Sequence, residues 1–383
     1  MYRLARKVQE ACVAKVVVIA GYGPSLVGFR GPLIRAMVTQ GHDVVALAPE
    51  AEPPAGFLEL GASYEQCALE RTGMRPDRDV RMLGRLVRQL RRLAPEVVFA
   101  YTMKPVAYGM LAAWMAGVPR RYGLFTGLGY LFIGDGSSRQ RLVHAMAVPL
   151  LRAGTSRATA IFVQNPDDAR DLRAAHVIGR RQRVVRFWGS GVDLGEYPEQ
   201  PLPEGPVCFL FLGRLLRDKG VREFVEAARL VRASYPESRF VVVGPTDPNP
   251  AGVPDDEIER WRQEGLVSVV GGVDDVRPFL RDCHVFVLPS YREGTPRSVL
   301  EAMSTGRAIV TTDAPGCRET VVDGLNGHLV PVKDAVSLAR AMEQLADDPD
   351  WRSSAASASR ELVERRFEVQ KVVSEMMHAM ELA

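Results

Sequence analysis

Cysteine is scarce and unpaired in this sequence. Cys12, Cys67, Cys208, Cys283 and Cys317 are odd in number and scattered, and no two form a C-x-x-C pair. That pattern does not describe a disulfide framework and fits a reduced, cytosolic protein with buried thiols. No uninterrupted apolar run reaches the length of a transmembrane helix. Residues 1–13, MYRLARKVQEACV, are basic and loosely amphipathic but lack the apolar core and small-residue cleavage site of a secretory signal. The expectation is a cytoplasmic protein able to sit peripherally on the inner face of the plasma membrane. Charge of one sign is also missing: the net charge is +3, and no aromatic-basic stripe offers a base-stacking surface, so nucleic acid is not an expected partner. Internal repeats are absent. Asp274-Asp275 and Asp247-Pro248-Asn249 are not flanked as metal-binding carboxylate motifs, so neither a metal nor a cofactor is expected.

What is present is an alternation of strand and helix patterns over 383 residues, 46% hydrophobic and 25% charged, enough for two domains. Residues 15–20, KVVVIA, read as a strand broken by Gly21-Tyr22-Gly23-Pro24 before a helix over 32–39. The loop is not a dinucleotide fingerprint, because Leu26 stands where the third glycine belongs. Gly23 and its neighbours either bring backbone close to a ligand in a cleft or simply make a tight turn. After a strand at 43–48, residues 77–93 place Met82, Leu83, Leu86, Val87, Leu90 and Leu93 at helical spacing. Arg78, Arg81, Arg85, Arg88, Arg91 and Arg92 are interleaved with them. That face is either solvated or a docking surface for an anionic membrane. A strand at 96–101 delivers Thr102-Met103-Lys104-Pro105 to a carboxyl end, where ligands collect in open α/β sheets. Lys104 there is a cleft residue or a surface lysine at the head of a helix over 106–116. A strand at 121–124 leads to Phe125-Thr126-Gly127-Leu128-Gly129, and residues 129–157 read as a core helix kinked at Pro149, its start Tyr130-Leu131-Phe132-Ile133 apolar enough to meet lipid. Strands at 160–163 and 183–187 follow, and residues 189–206, rich in Gly, Pro and charge, read as a hinge.

A second series opens with 207–212, VCFLFL, and runs into Gly213-Arg214-Leu215-Leu216-Arg217-Asp218-Lys219-Gly220 before a helix over 221–235. Arg214 and Lys219 share one loop at a strand end, suited to gripping a diphosphate as planar fork and point charge. Further strands end at Gly244-Pro245, at Gly271-Gly272-Val273 and at Pro289. Residues from 334 onward are helical with a break near Asp348-Pro349. The most informative stretch is 289–321, PSYREGTPRSVLEAMSTGRAIVTTDAPGCRETV. Its helix spans 297–305, with Thr295 as N-cap and Pro296 at the first position, so free N–H groups point out of the sheet's carboxyl end toward an anion. Glu293 precedes that helix and Glu301 lies within it. Such a pair alone is commonplace; embedded in strand, Glu-Gly-x-Pro, helix, Gly-Arg, strand, Pro-Gly and Arg-Glu, it is specific.

That stretch resembles the nucleotide-sugar signature of retaining family 4 glycosyltransferases with the GT-B fold, especially those building bacterial polysaccharides or lipid-linked oligosaccharides. The resemblance covers nearly the whole chain and is strongest over 207–331. It implies an α/β architecture of two Rossmann-like domains whose parallel sheets face each other across a cleft. Residues 1–190 would form the acceptor side, 191–365 the nucleotide-sugar side, and 366–383 a helix crossing back. The implied reaction moves a hexose or N-acetylhexosamine from a nucleotide diphosphate sugar, a UDP-sugar, to a glycan or polyprenyl-diphosphate-linked acceptor, without metal. Arg214, Lys219 and Glu293 would be catalytic. Glu301, Arg297, Ser298, Val299, Leu300, Gly244 and Val273 would bind donor, and Gly23, Lys104 and Thr126 are the cleft candidates on the acceptor side. The histidine that many relatives use against the donor sugar is missing from both 100–105 and 124–129. A nucleotide-sugar epimerase on the same architecture, or a non-enzymatic nucleotide-sugar-binding protein, is the alternative reading.

Overall fold

The computed structural model describes residues 13–69, 76–129, 132, 138–249 and 251–383. Runs such as KVVVI and VVFAY carry no polar alternation because both faces of their sheet are covered. Val16 and Val18 pack into one core layer and Val17 and Ile19 into another. The strands β1 (Lys15–Ile19), β2 (Asp43–Ala48), β3 (Ser63–Gln66), β4 (Val97–Tyr101), β5 (Arg120–Leu124), β6 (Ala160–Val163) and β7 (Val184–Arg186) form one parallel sheet in the order β3-β2-β1-β4-β5-β6-β7. Helices α1 (Pro24–Gly28), α2 (Gly31–Thr39), α3 (Pro76–Leu93), α4 (Met110–Met115), α5 (Ser138–Thr155) and α6 (Pro166–Ala174) connect them.

The second sheet contains β8 (Cys208–Leu212), β9 (Arg239–Val243), β10 (Ser268–Gly271), β11 (Val285–Leu288), β12 (Ala308–Thr312) and β13 (Gly327–Val330), again all parallel, in the order β10-β9-β8-β11-β12-β13. Its helices are α7 (Val221–Ser234), α8 (Asp255–Glu264), α9 (Arg277–Arg281), α10 (Arg297–Ser304), α11 (Ala335–Asp347), α12 (Pro349–Arg366) and α13 (Val369–Ala379). In each sheet the strand order reverses once, between β1 and β4 and between β8 and β11. A crevice opens outside the carboxyl ends at such a point. The loops leaving β1 and β4 carry Gly23 and Lys104; those leaving β8 and β11 carry Lys219 and Glu293.

The chain passes between the domains twice at one place. Val192 donates to the Phe367 carbonyl at 2.8 Å and Val369 donates back to Val192 at 3.0 Å. Gly191, at φ +71°, permits this because an added Cβ would lie 2.6 Å from Val369 Cα. Beyond the crossing, Val369, Val372, Val373, Met376 and Met377 of α13 join the core of the first domain.

Several local expectations are corrected. The first helix begins at Pro24, directly after the glycine loop, and Phe29 and Arg30 separate it from α2. The stretch expected as one helix over 106–116 is a π-helical turn, Pro105–Gly109, followed by α4. The wider turn packs beneath α5, where a Cβ on Gly154 would lie 2.4 Å from the Ala107 carbonyl oxygen. Thr295 does not cap α10: Pro296 occupies that position, and the Thr295 hydroxyl is buried without a hydrogen-bond partner among the described residues while its side chain packs against Gly189. A second break, at Phe367 and Glu368, separates α12 from α13. Tyr130, Leu131 and Ile133, proposed to meet lipid, lie outside the described residues, as does Cys12. Cys67, Cys208, Cys283 and Cys317 are free and buried, and burial pushes each thiol up, Cys67 to about 11 and Cys317 to about 12.

Candidate functional site

The loops leaving β8 and β11 are clasped together. A 3₁₀ turn, Arg217–Lys219, ends at Gly220, whose φ of +72° starts α7. Glycine is required there on two counts, since a Cβ would also meet the Pro289 carbonyl oxygen at 2.1 Å. The Tyr291 amide donates to the Asp218 carbonyl at 2.8 Å. These backbone contacts bring Lys219 Nζ to 2.5 Å from Glu293 Oε1, and Ser290 Oγ donates to the same oxygen at 2.8 Å. Both charged side chains stay accessible, 20% and 13% exposed. Arg214 lies half-exposed in the same loop, where its Nη1 is held 2.7 Å from Asp247 Oδ2.

Helix α10 opens beside this pair. The amides of Val299 and Leu300 turn back to the Pro296 carbonyl at 3.1 and 3.3 Å, and both side chains are buried in the core. The first-turn amides left over by helix geometry are those of Arg297 and Ser298. Glu301 is 8% exposed, accepts from Arg297 Nε at 2.9 Å and takes a hydrogen bond from Tyr197. Burial raises the Glu301 carboxyl above the ordinary carboxylate range, against the pull of Arg297 and Tyr197; burial and that carboxylate together push the Tyr197 phenol up. Gly244, at φ +152°, packs so tightly on the Gly213 carbonyl, 1.8 Å from an added Cβ, that it fixes the loop bearing Arg214. Val273 is exposed beyond β10.

The first domain faces these groups with the carboxyl ends of its own strands. Gly23 donates its amide to Glu50 Oε2 at 2.8 Å, so the close approach permitted by its missing side chain is to Glu50. Lys104 is partly buried at the carboxyl end of β4, its ammonium 3.8 Å from Asp79 on α3 and over the Tyr108 ring. Thr126 stands at the contact between domains, its carbonyl oxygen 2.4 Å from where a Cβ on Gly294 would lie. Arg297 crosses as well, donating to the Gly28 carbonyl and lying over the Phe29 ring, 5.3 Å from its centroid. Asn165 Nδ2 donates to the carbonyls of Glu293 and Gly294 at 3.3 and 3.0 Å, and Arg292 reaches Asp168 and Asp171 at 2.5 and 2.7 Å.

Two family profiles match the chain, one in each domain. "Glycosyl transferase 4-like domain" matches residues 31–188 and "Glycosyl transferases group 1" matches residues 206–348. The chain is a family 4 glycosyltransferase of the GT-B fold. Among curated relatives of this glycosyltransferase is the Campylobacter jejuni N,N'-diacetylbacillosaminyl-diphospho-undecaprenol alpha-1,3-N-acetylgalactosaminyltransferase, 28% identical over 348 residues, covering 87% of this chain and 90% of the relative. Another is the Escherichia coli UDP-Gal:alpha-D-GlcNAc-diphosphoundecaprenol alpha-1,3-galactosyltransferase, 26% identical, covering 71% of each chain. Among solved structures, the glycosyltransferase superposes on sucrose-phosphate synthase from Thermosynechococcus elongatus with a TM-score of 0.78 at 19% identity, covering 96% and 98% of the two chains. It also superposes on Anabaena HepE, solved in complex with UDP and glucose, with a TM-score of 0.76 at 17% identity, covering 97% and 100%.

Sequence reasoning missed Asn165, Asp168, Arg292, Ser290 and Tyr197. Asn165-Pro166 carries a helix-start signal, and Asn165 does cap α6. Nothing in the sequence says that the same side chain reaches residues 293 and 294. Tyr197 sits in the stretch read as a hinge, without a local pattern to mark it.

Proposed function

We propose that this glycosyltransferase moves a hexose or N-acetylhexosamine, with retention of anomeric configuration and without metal, from a UDP-sugar to a polyprenyl-diphosphate-linked sugar in bacterial surface-polysaccharide synthesis. The acceptor class and the donor base are supported by the names of the Campylobacter and Escherichia relatives and by the UDP bound to the Anabaena protein. The observation that carries the reading is the Lys219–Glu293 pair at 2.5 Å beside the opening turn of α10.

As the bond to the anomeric carbon lengthens, negative charge gathers on the leaving diphosphate. Lys219, Arg214 and the amides of Arg297 and Ser298 are the fixed positive groups to meet it. Each cation is already steered by an internal carboxylate, Lys219 by Glu293 and Arg214 by Asp247. Glu293 faces the sugar hydroxyls and favours the oxocarbenium-like centre; Glu301 accepts from the ribose hydroxyls, exchanging part of its bond to Arg297. Gly244 and Val273 frame the base. Gly23, Lys104 and Thr126 line the acceptor side. The exposed arginines of α3 support peripheral binding to an anionic membrane; among the described residues, no helix is long and apolar enough to cross one.

The test is a panel of nucleotide sugars followed by thermal unfolding and a transfer assay in chelator. A ligand at a hundred times its dissociation constant adds about 2.7 kcal/mol of apparent stability. UDP-sugars are expected to raise the melting temperature, and transfer to a diphosphate-linked acceptor is expected to persist in chelator. Stabilisation by no UDP-sugar, or activity lost in chelator and restored by magnesium or manganese, counts against the proposal.

A further inference from the structure

Helix α6 belongs to the first domain, yet its cap reaches into the second. Asn165 is fully buried, and the two ends of its amide have different partners. Oδ1 accepts from the Asp168 amide at 2.8 Å and caps the helix; Nδ2 donates to the carbonyls of Glu293 at 3.3 Å and Gly294 at 3.0 Å, and to Asp168 Oδ2 at 3.1 Å. Asn carries its donor and its acceptor on separate atoms of one planar group, whereas a Ser or Thr hydroxyl has one oxygen for both roles and an ionised Asp only accepts. Asp168 is fully buried too, and its other oxygen takes the Arg292 guanidinium at 2.5 Å; the same nitrogen reaches Asp171 at 2.7 Å. Arg292, Glu293 and Gly294 are consecutive, so the peptide bearing the sugar-facing carboxylate is fastened from the opposite domain on both sides of that residue.

The surrounding fit leaves little freedom. A Cβ on Gly294 would lie 2.1 Å from Gln164 Oε1, and one on Gly316, at φ +80°, would lie 2.3 Å from the Glu293 carbonyl oxygen. The Glu293 amide is itself bound to the Pro315 carbonyl at 2.9 Å. Every backbone polar group of Glu293 therefore has a fixed partner, and the partner of its carbonyl is supplied across the cleft.

We propose that Asn165, Asp168 and Arg292 are positioning residues that set the Glu293 carboxylate for reaction only while the first domain is docked on the second. The proposal depends on the reading of Glu293 as the group facing the donor sugar. Docking places the acceptor side against the donor side, and the same contact aligns the carboxylate, so a donor bound without that contact meets a misaligned Glu293. Misplacement of a reacting group by about 1 Å can cost on the order of a hundredfold in rate.

The experiment uses the full chain with Asn165→Ser, Arg292→Lys and Glu293→Gln, each with its melting temperature recorded. Serine still caps a helix but cannot reach the carbonyls of residues 293 and 294; lysine keeps the charge and gives up the guanidinium fork. Asn165→Ser and Arg292→Lys are expected to lower kcat about tenfold or more while donor KM stays within about threefold. Stabilisation by UDP alone is expected to match that of the unaltered protein. In the Glu293→Gln background Asn165→Ser is expected to cost nothing further, because both act through one group. Unaltered kcat in both positioning variants, or losses that multiply in the Glu293→Gln background, would overturn the proposal while leaving the role of Glu293 intact. Unaltered kcat in Glu293→Gln itself would overturn both.

Discussion

Lys219 and Glu293 share one hydrogen bond, but the proposed function sets them against different parts of the donor, so their truncations are expected to differ in kind. Lys219→Ala removes a preorganised cation aimed at charge that grows only during cleavage. About 2 to 4 kcal/mol of transition-state stabilisation should be lost, more in turnover than in donor affinity. Steady-state kinetics on a folded variant checks this, and near-normal turnover would leave the diphosphate to the α10 amides alone. Arg214→Lys should also be damaging, because the planar fork is given up although the charge stays. The two glutamates separate similarly: Glu301→Ala should chiefly raise donor KM, since ribose hydroxyls are held alike in ground and transition states, whereas Glu293→Ala should chiefly lower kcat. The reverse pattern would exchange their roles. Glu301 and its helix were legible in the sequence, but its pairing with Arg297 was not read there, and Tyr197, which completes the environment of that carboxylate, comes from a segment with no regular period.

Helix α3 shows what periodicity can and cannot say. The sequence pattern correctly separates its faces: Met82, Leu86, Val87, Leu90 and Leu93 are buried, while Arg78, Arg81, Arg85, Arg88, Arg91 and Arg92 are exposed. It could not say that Arg92 pairs with Glu65 of β3 and that Arg91 bonds the Met115 carbonyl, contacts that tie two of those cations down. Arg78, Arg81 and Arg85 line a cavity of about 260 Å³ together with Asp79. Sedimentation with anionic liposomes is expected at low salt and should weaken as ionic strength shortens the screening length toward about 8 Å. Charge reversal at Arg81 and Arg85 should abolish it; salt-independent binding would point to a different, apolar contact. The strands and most helices were readable for the same reason as α3, because burial imposes a period. The glycine loop was not, because α1 is only five residues long and its place is set by Glu50 and Tyr101 rather than by its own pattern.

At the scale of the whole molecule, the two domains meet through buried charge. Burial pushes the Asp168 carboxyl up to about 6, although Arg292 and Asn165 pull it down. The folded protein therefore holds this proton more tightly than the unfolded chain does. The stability contributed by Asp168 is present below the ordinary aspartate range and is lost as pH rises through about 6. The ion pair to Arg292 strengthens over that same interval, so turnover should rise with pH while the contribution of this residue to stability falls. Urea unfolding and kcat measured from pH 4.5 to 7.5, roughly the span of that titration, should diverge in this way, and Asp168→Asn should flatten the divergence. Sequence patterns could not reveal the arrangement, since each of its members is an ordinary charged residue until the domains are docked. The double crossing at Val192 and Glu368 has a consequence for synthesis. The core of the first domain lacks α13 until the entire second domain has left the ribosome, so the second sheet can close while the first still exposes the groove that Val372, Val373, Met376 and Met377 will fill. The domain that is translated first is the one completed last, and a chain stalled before residue 369 should be held by chaperones through its older half.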